Sequence, residues 1–173
     1  MVPTLERLKE SANQRCVQFG SVPSCSLESV HRTLSPSDFG FHNAIRRDDN
    51  VLIFIDFEYF GWDDPAKTVS DFLLHPAMQL NEQQSRMFMD DCIKKFGATD
   101  ENLCNRIQLY FPLFGLKWAF IVLNEFCSSD WKRRQFSGRG KIKTKYYFQE
   151  QLEKANIFLK NAIHADKEFP YVI

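Results

Sequence analysis

Leu34-Ser-Pro-Ser-Asp-Phe-Gly-Phe-His-Asn43 is followed by Ala44-Ile-Arg-Arg-Asp-Asp-Asn50 and then by Val51-Leu-Ile-Phe-Ile-Asp-Phe-Glu-Tyr59. An unbroken apolar run, Val51 to Ile55, sits between the polar Arg46 to Asn50 and Asp56. Such a run bounded by turn residues predicts a β-hairpin over residues 44–56 with a fully buried second strand. A hairpin returns its second end to its first. Asn43 and Asp56 therefore meet at one edge, with Asp38 five residues upstream of Asn43. Alone, Asp38 and Asn43 read as turn formers and Asp56 as a strand terminator. Together, in this order, they offer three oxygen ligands to a hard cation such as Mg²⁺, which keeps waters and substrate phosphates as its remaining ligands.

Outward from this stretch the helical period dominates. Leu5, Leu8 and Ala12 predict a first helix ending before Gly20, and a short helix is expected near Leu27 to Val30. Asp64-Pro65 is an N-cap and first-turn pair for a helix to about Leu74, which His75-Pro76 ends. Asn81 with Gln84 forms a capping box for a helix to Phe96, and Gly97 caps its end. A further helix starts near Asp100, is broken by Pro112, and resumes to about Cys127. A last helix spans Lys145 to His164 with Phe148, Leu152, Ala155, Leu159 and Ala162 as its apolar stripe. The expected class is α+β, predominantly α, with one small hairpin carrying the metal site in a single domain of residues 1–173.

The 173 residues suffice for one core, and 44% hydrophobic with 25% charged residues excludes disordered and collagen-like chains. Lys and Arg number 22, as do Asp and Glu, so no global field favours nucleic acid or a membrane surface. Five scattered cysteines without a zinc-type spacing, and an N-terminus without a signal-like apolar core, fit a reduced cytoplasmic protein. Tyr110 to Phe126 is shorter than the roughly 20 residues of a membrane span and reads as a buried helix.

The D-x-x-x-x-N of Asp38 to Asn43 and the I-D-F-E-Y of residues 55–59 resemble the catalytic and metal-binding loops of the aminoglycoside phosphotransferase and choline kinase family, which is built like a protein kinase. The resemblance implies a kinase-like large lobe that transfers the γ-phosphoryl group of ATP to a small-molecule hydroxyl: an aminoglycoside, choline, ethanolamine or a sugar. It implies that Asp38 takes the hydroxyl proton, that Asn43 and Asp56 hold Mg²⁺, and that Glu58 binds or orients a second metal. Asp71, in the following Asp64-Pro-Ala-Lys-Thr-Val-Ser-Asp71, is implied to brace the catalytic loop. Two departures stand out. The family commonly has a histidine two residues before the catalytic aspartate, where this chain has Pro36. The seven glycines form neither G-x-G-x-x-G nor G-x-x-x-x-G-K-[ST], so no small nucleotide-binding lobe is apparent. The expectation is a fragment, a truncated product or half of a split enzyme, with a separately encoded small lobe as possible partner. The rival reading is a kinase-like remnant serving as a non-catalytic interaction or ligand-binding module.

His42, Lys117, Trp118 and Glu125 are candidate substrate contacts. His42 reads otherwise as a bracing loop residue, Trp118 as core, and Lys117 as a lysine reaching for solvent. Tyr59, Phe60 and Trp62, with Trp118, suit a quaternary ammonium acceptor, whereas Glu125, Asp63 and Asp130 suit an amino sugar. From Lys132 to Lys145, seven of fourteen residues are Lys or Arg, with Trp131, Phe136, Tyr146 and Tyr147 close by. At zero net charge this reads as a solvated loop or an anion patch, and no nucleic acid partner is expected. His31, His75 and His164 show no partner at useful spacing.

Overall fold

The computed structural model describes residues 2–20, 26–127 and 145–171. The basic run over residues 132–144, with Asp130 and Trp131, lies outside the described residues. Five helices, α1 (Val2–Gln18), α2 (Pro65–Leu74), α3 (Glu82–Phe96), α4 (Leu103–Leu123) and α5 (Lys145–Lys167), carry most of the described chain. The strands are three residues each: β1 (Thr33–Ser35), β2 (Ala44–Arg46), β3 (Leu52–Phe54) and β4 (Gly61–Asp63). The protein is thus mostly helical with two small antiparallel sheets.

The caps form as their residue types dictate. Asp64 accepts from the Ala66 amide at 2.8 Å with Pro65 behind it, and Asn81 and Gln84 complete a reciprocal capping box at 2.8 and 3.0 Å. Gly97 ends α3 in a right-handed conformation, and a Cβ there would lie 2.5 Å from the Ile93 carbonyl oxygen, so close approach rather than left-handed φ is what requires glycine.

Four expectations need correction. Pro112 does not break α4, which is continuous from Leu103 to Leu123; a proline removes one amide donor, and α1, α2 and α5 pack along the helix and hold it together. With the 3-10 turn after it, this helix is long and apolar enough to cross a membrane by length and composition, yet it is the element against which the others pack. A second pair exists beside the hairpin, β1 against β4, joining Leu34 to Trp62 in register. The hairpin's second strand is not fully buried, since Leu52 and Ile53 are 45% and 42% exposed. Finally, α5 buries Gln151, Ala155, Ala162 and Ala165 and leaves Leu152 exposed, so its inner face is built for close approach. Gly115 of α4 meets it there: a Cβ at that position would lie 3.1 Å from the Ala162 Cβ.

The core has two halves divided by α4. On one side Ala66, Val69, Met89, Leu103 and Ile107 join α2, α3 and α4; on the other Leu8, Leu116 and Ala162 join α1, α4 and α5. A file of phenylalanines then links the first half to the hairpin. Phe88 stacks on Phe72 at 3.9 Å, Phe72 on Phe39 at 5.3 Å, and Phe39 meets Phe54 at 4.9 Å. The loop from Ser35 to Asn43 is therefore anchored on α2 and α3 through Phe39.

Candidate functional site

Residues 36–43 leave β1 and enter β2. Asp38 follows Ser37, whose φ of 65° lies in the left-handed region that non-glycine residues seldom occupy. The loop is braced from α2. Lys67 Nζ donates to Ser37 Oγ at 3.0 Å and pairs with Asp63 at 2.7 Å, while Thr68 Oγ1 donates to Ser35 Oγ at 2.9 Å. Phe39 points into the phenylalanine file, while Asp38 is contacted by His42 and Asn43.

The Asn43 amide donates to the Asp38 carbonyl oxygen at 3.0 Å and to Asp38 Oδ2 at 3.3 Å. That orientation commits its nitrogen and leaves Oδ1 free to accept or ligate. The hairpin register brings Asp56 close. Ala44 pairs with Phe54, and the Ile55 amide donates to the Asn43 carbonyl at 2.9 Å, so Asp56 directly follows the residue opposite Asn43. Asp56 is itself left-handed, at φ 64°, a conformation aspartate tolerates better than most residues and one that costs of order 1–3 kcal/mol where it is enforced. Asp56 and Glu58 are exposed. The register thus sets Asn43, with Asp38 bonded to it, at the open end of the hairpin, and Asp56 follows the residue paired with Asn43 there. This donor set, an amide oxygen and exposed carboxylates, suits a hard cation.

Asp71 is buried and pairs with Lys117 of α4, so it ties α2 to α4. Lys67 and Thr68 of α2 make the polar ties to the loop, and Phe72 the aromatic one. Lys117 Nζ also lies over the rings of Phe114 and Trp118, at 4.9 and 5.1 Å. Trp118 is 9% exposed, and its indole nitrogen is buried without an acceptor among the described residues. Glu125 sits in the 3-10 turn after α4, seven residues beyond Trp118, which is about 10 Å further along the axis.

The sequence reading missed His75. It ends α2 with its ring stacked on His42, the centroids 4.0 Å apart and the planes 2° from parallel, while Trp118 meets its other side edge-on at 4.5 Å. His42 Nε2 lies 3.1 Å and His75 Nε2 3.8 Å from Asp38 Oδ1. Burial, and next the neighbouring His42, push His75 down to about 4 against the opposing pull of Asp38. Two histidines and a carboxylate this close invite a transition-metal reading, but the geometry does not fit one. An imidazole ligates in its ring plane, and parallel stacked rings cannot both hold one ion in plane. The Ala77 amide, moreover, donates to His75 Nδ1 at 3.1 Å, which leaves the neutral ring's proton on Nε2, the atom a metal would need.

A cleft of about 260 Å³ lies by the N-cap of α2, between α1 and the start of α4, lined in part by His31, Asp64, Asp100, Arg106 and Tyr110. Arg106 bridges Asp64 at 2.8 Å and Asp100 at 2.5 Å, closing an ion network under the N-terminus of α2. Compared with protein families, curated proteins and solved structures, the chain matches none.

Proposed function

We propose that this chain is the kinase-like large lobe of a small-molecule phosphotransferase of the aminoglycoside phosphotransferase and choline kinase type, acting in the cytoplasm with ATP and Mg²⁺. The observation that supports it most is the bonding of the Asn43 side-chain amide to Asp38 at the hairpin's open end, where the strand register sets Asp56 one residue beyond the partner of Asn43. In this reading Asp38 accepts the proton of the acceptor hydroxyl. Its oxygen attacks the γ-phosphorus, the bond to the β-phosphate oxygen breaks, and ADP leaves. The Oδ1 of Asn43 and the carboxylate of Asp56 would hold Mg²⁺, with Glu58 beside a second ion. The cation would supply charge neutralisation on the phosphates. Positioning and charge dominate this chemistry, so a single base suffices.

The apolar surface of the hairpin supports a covering lobe, in the same polypeptide or a separate one. Leu34, Ile45, Ile53, Phe57, Tyr59 and Trp62 are all exposed around the site, Trp62 to 66%. The same surface favours the second reading, an interaction module without catalysis. Transfer of radiolabelled γ-phosphoryl to choline, ethanolamine and amino sugars separates them. Transfer that requires Mg²⁺ and is lost in Asp38→Asn and Asp56→Ala supports the enzyme; transfer untouched by both substitutions refutes this site. Without a covering lobe the chain should bind Mg·ATP weakly, and tight binding by the chain alone would demand a different nucleotide site.

A further inference from the structure

Asp38 is approached by two imidazoles from different parts of the chain, one from its own loop and one from the end of α2. His42 gives the closer contact, with Nε2 3.1 Å from Oδ1. Its ring is fixed on further sides. His75 stacks over it at 4.0 Å, and beneath it lies Gly40, where a Cβ would come within 2.7 Å of His42 Cε1 and Nδ1 and 2.8 Å of Met78 Sδ. The ring thus fills the space that a side chain at residue 40 would take. His75 is held in turn by the Ala77 amide on Nδ1, by Pro76 after it in the chain, and by the edge of Trp118. With Nδ1 accepting, the Nε2–H of His75 is turned toward Asp38 as well. The two carboxylate oxygens are consequently unequal: Oδ1 faces both histidines, and among the described residues Oδ2 takes only the longer bond from Asn43 at 3.3 Å.

We infer that His42, backed by the stacked ring of His75 and seated over Gly40, is a positioning residue that fixes Oδ1 of Asp38 and leaves Oδ2 as the oxygen that meets the acceptor hydroxyl. The inference rests on the phosphotransfer reading for what the hydroxyl does, but the clamp is a property of the chain alone. A carboxylate on a loop rotates about two bonds, and the base must point within hydrogen-bond reach of the proton it takes. A ring donor on one oxygen removes that freedom. His75 and Trp118, which back the clamp, lie far from the Asp-to-Asn spacing in the chain, which is why no linear motif marks it.

The test has two arms. On the 173-residue chain, long-range ¹H–¹⁵N spectra at pH 8 should show a His42 Nε2–H protected from solvent exchange, lost in Asp38→Ala and in Gly40→Ala. A His42 Nε2–H that exchanges at the solvent rate, or that persists unchanged in Asp38→Ala, overturns the clamp whatever the protein catalyses. In the second arm, with Mg·ATP and the acceptor panel above, His42→Ala should lower kcat at least tenfold and leave the KM for ATP within twofold, and His42→Gln, which keeps a donor at the same reach, should restore a good part of kcat. A protected His42 Nε2–H with kcat unchanged in His42→Ala overturns the positioning role. If the spectra bear out the clamp while no Mg²⁺-dependent transfer is found, the phosphotransfer reading has failed rather than the clamp; transfer left intact by Asp38→Asn overturns the role of Asp38 as the base that the clamp aims.

Discussion

Replacing Arg106 by methionine should be among the most damaging single changes in the first half of the core, and the sign of its pH dependence makes the reasoning testable. The Arg106 guanidinium donates from Nε and Nη2 to Asp64 at 2.8 and 3.1 Å, and from Nη1 and Nη2 to Asp100 at 3.0 and 2.5 Å. Asp64 keeps its bond from the Ala66 amide and the positive end of α2, so it tolerates the loss. Asp100 does not: it is 5% exposed and retains only the Asn102 amide at 3.2 Å and His31 Nδ1 at 3.9 Å. A buried charge stripped of its partner costs about 3–5 kcal/mol, a large part of the roughly 5–15 kcal/mol that holds a domain together. In the wild type, burial pushes the Asp100 carboxyl up, but Arg106 outweighs it and holds the group below the usual range. That stability is complete above the unfolded carboxyl value near 4 and is lost as pH falls through the lower folded value. In Arg106→Met the main opposition to burial is gone and the folded value should rise above the unfolded one, so the variant regains stability as pH falls from 7 toward 5. Urea unfolding of both proteins at pH 7 and pH 5 should therefore show a gap that narrows on acidification, and Asp100→Asn in the Arg106→Met background should recover much of it. A gap below about 1 kcal/mol, or one equal at both pH values, would refute the account.

His75, held near 4 against an ordinary 6.5, is neutral in the fold while the unfolded chain takes up its proton first, so stability is complete above pH 6.5 and falls between pH 6.5 and 4; His75→Gln should flatten that limb by about 1–2 kcal/mol in thermal melts across this range. Trp118→Phe removes a buried donor without an acceptor and should leave the urea midpoint unchanged or higher, whereas Trp118→Ala should cost about 3–5 kcal/mol. Gly115→Val sets branched methyls against Ala162 and should destabilise by about 1–3 kcal/mol, read as a lower Tm with the helical circular dichroism retained.

What the sequence made legible follows from the range of the interactions. The N-cap of α2 and the capping box of α3 are bonds between residues two and three apart, and both form as read. The pairing of Asn43 with Ile55, the residue before Asp56, is a hairpin consequence, again local. What escaped the reading is non-local or too short to show a period. β1 and β4 are three residues each and pair Ser35 with Gly61, with the whole hairpin between them in the chain. His75 reaches Asp38 only because Asp64 starts α2 and Pro76 ends it with the ring turned back on the loop. Lys67, rather than Asp71, holds Ser37, since Asp71 is drawn to Lys117 on α4. The exposure of Val51, Leu52, Ile53 and Ile55 has a different reason: an apolar run reports that a strand is to be covered, and cannot say by what.

The two sides of the hairpin differ in how they are held. From below, Phe54 continues the file through Phe39 and Phe72 to Phe88, so the loop bearing Asp38 is tied to α2 and α3 by stacked rings, and Lys67 and Thr68 add polar ties from the same helix. From above, Ile53 and Ile55 remain open to solvent. At about 25 cal/mol per Å² such a surface favours whatever buries it, and on the phosphotransfer reading the nucleotide and its covering lobe do so together. The half that positions the base would then be preorganised, and the half that brings the phosphate would be assembled by binding. This division predicts where substitutions act: those in the phenylalanine file or at Lys67 should weaken the aim of Asp38 and lower turnover, and those on the open face should weaken nucleotide capture while leaving the chain's own stability intact.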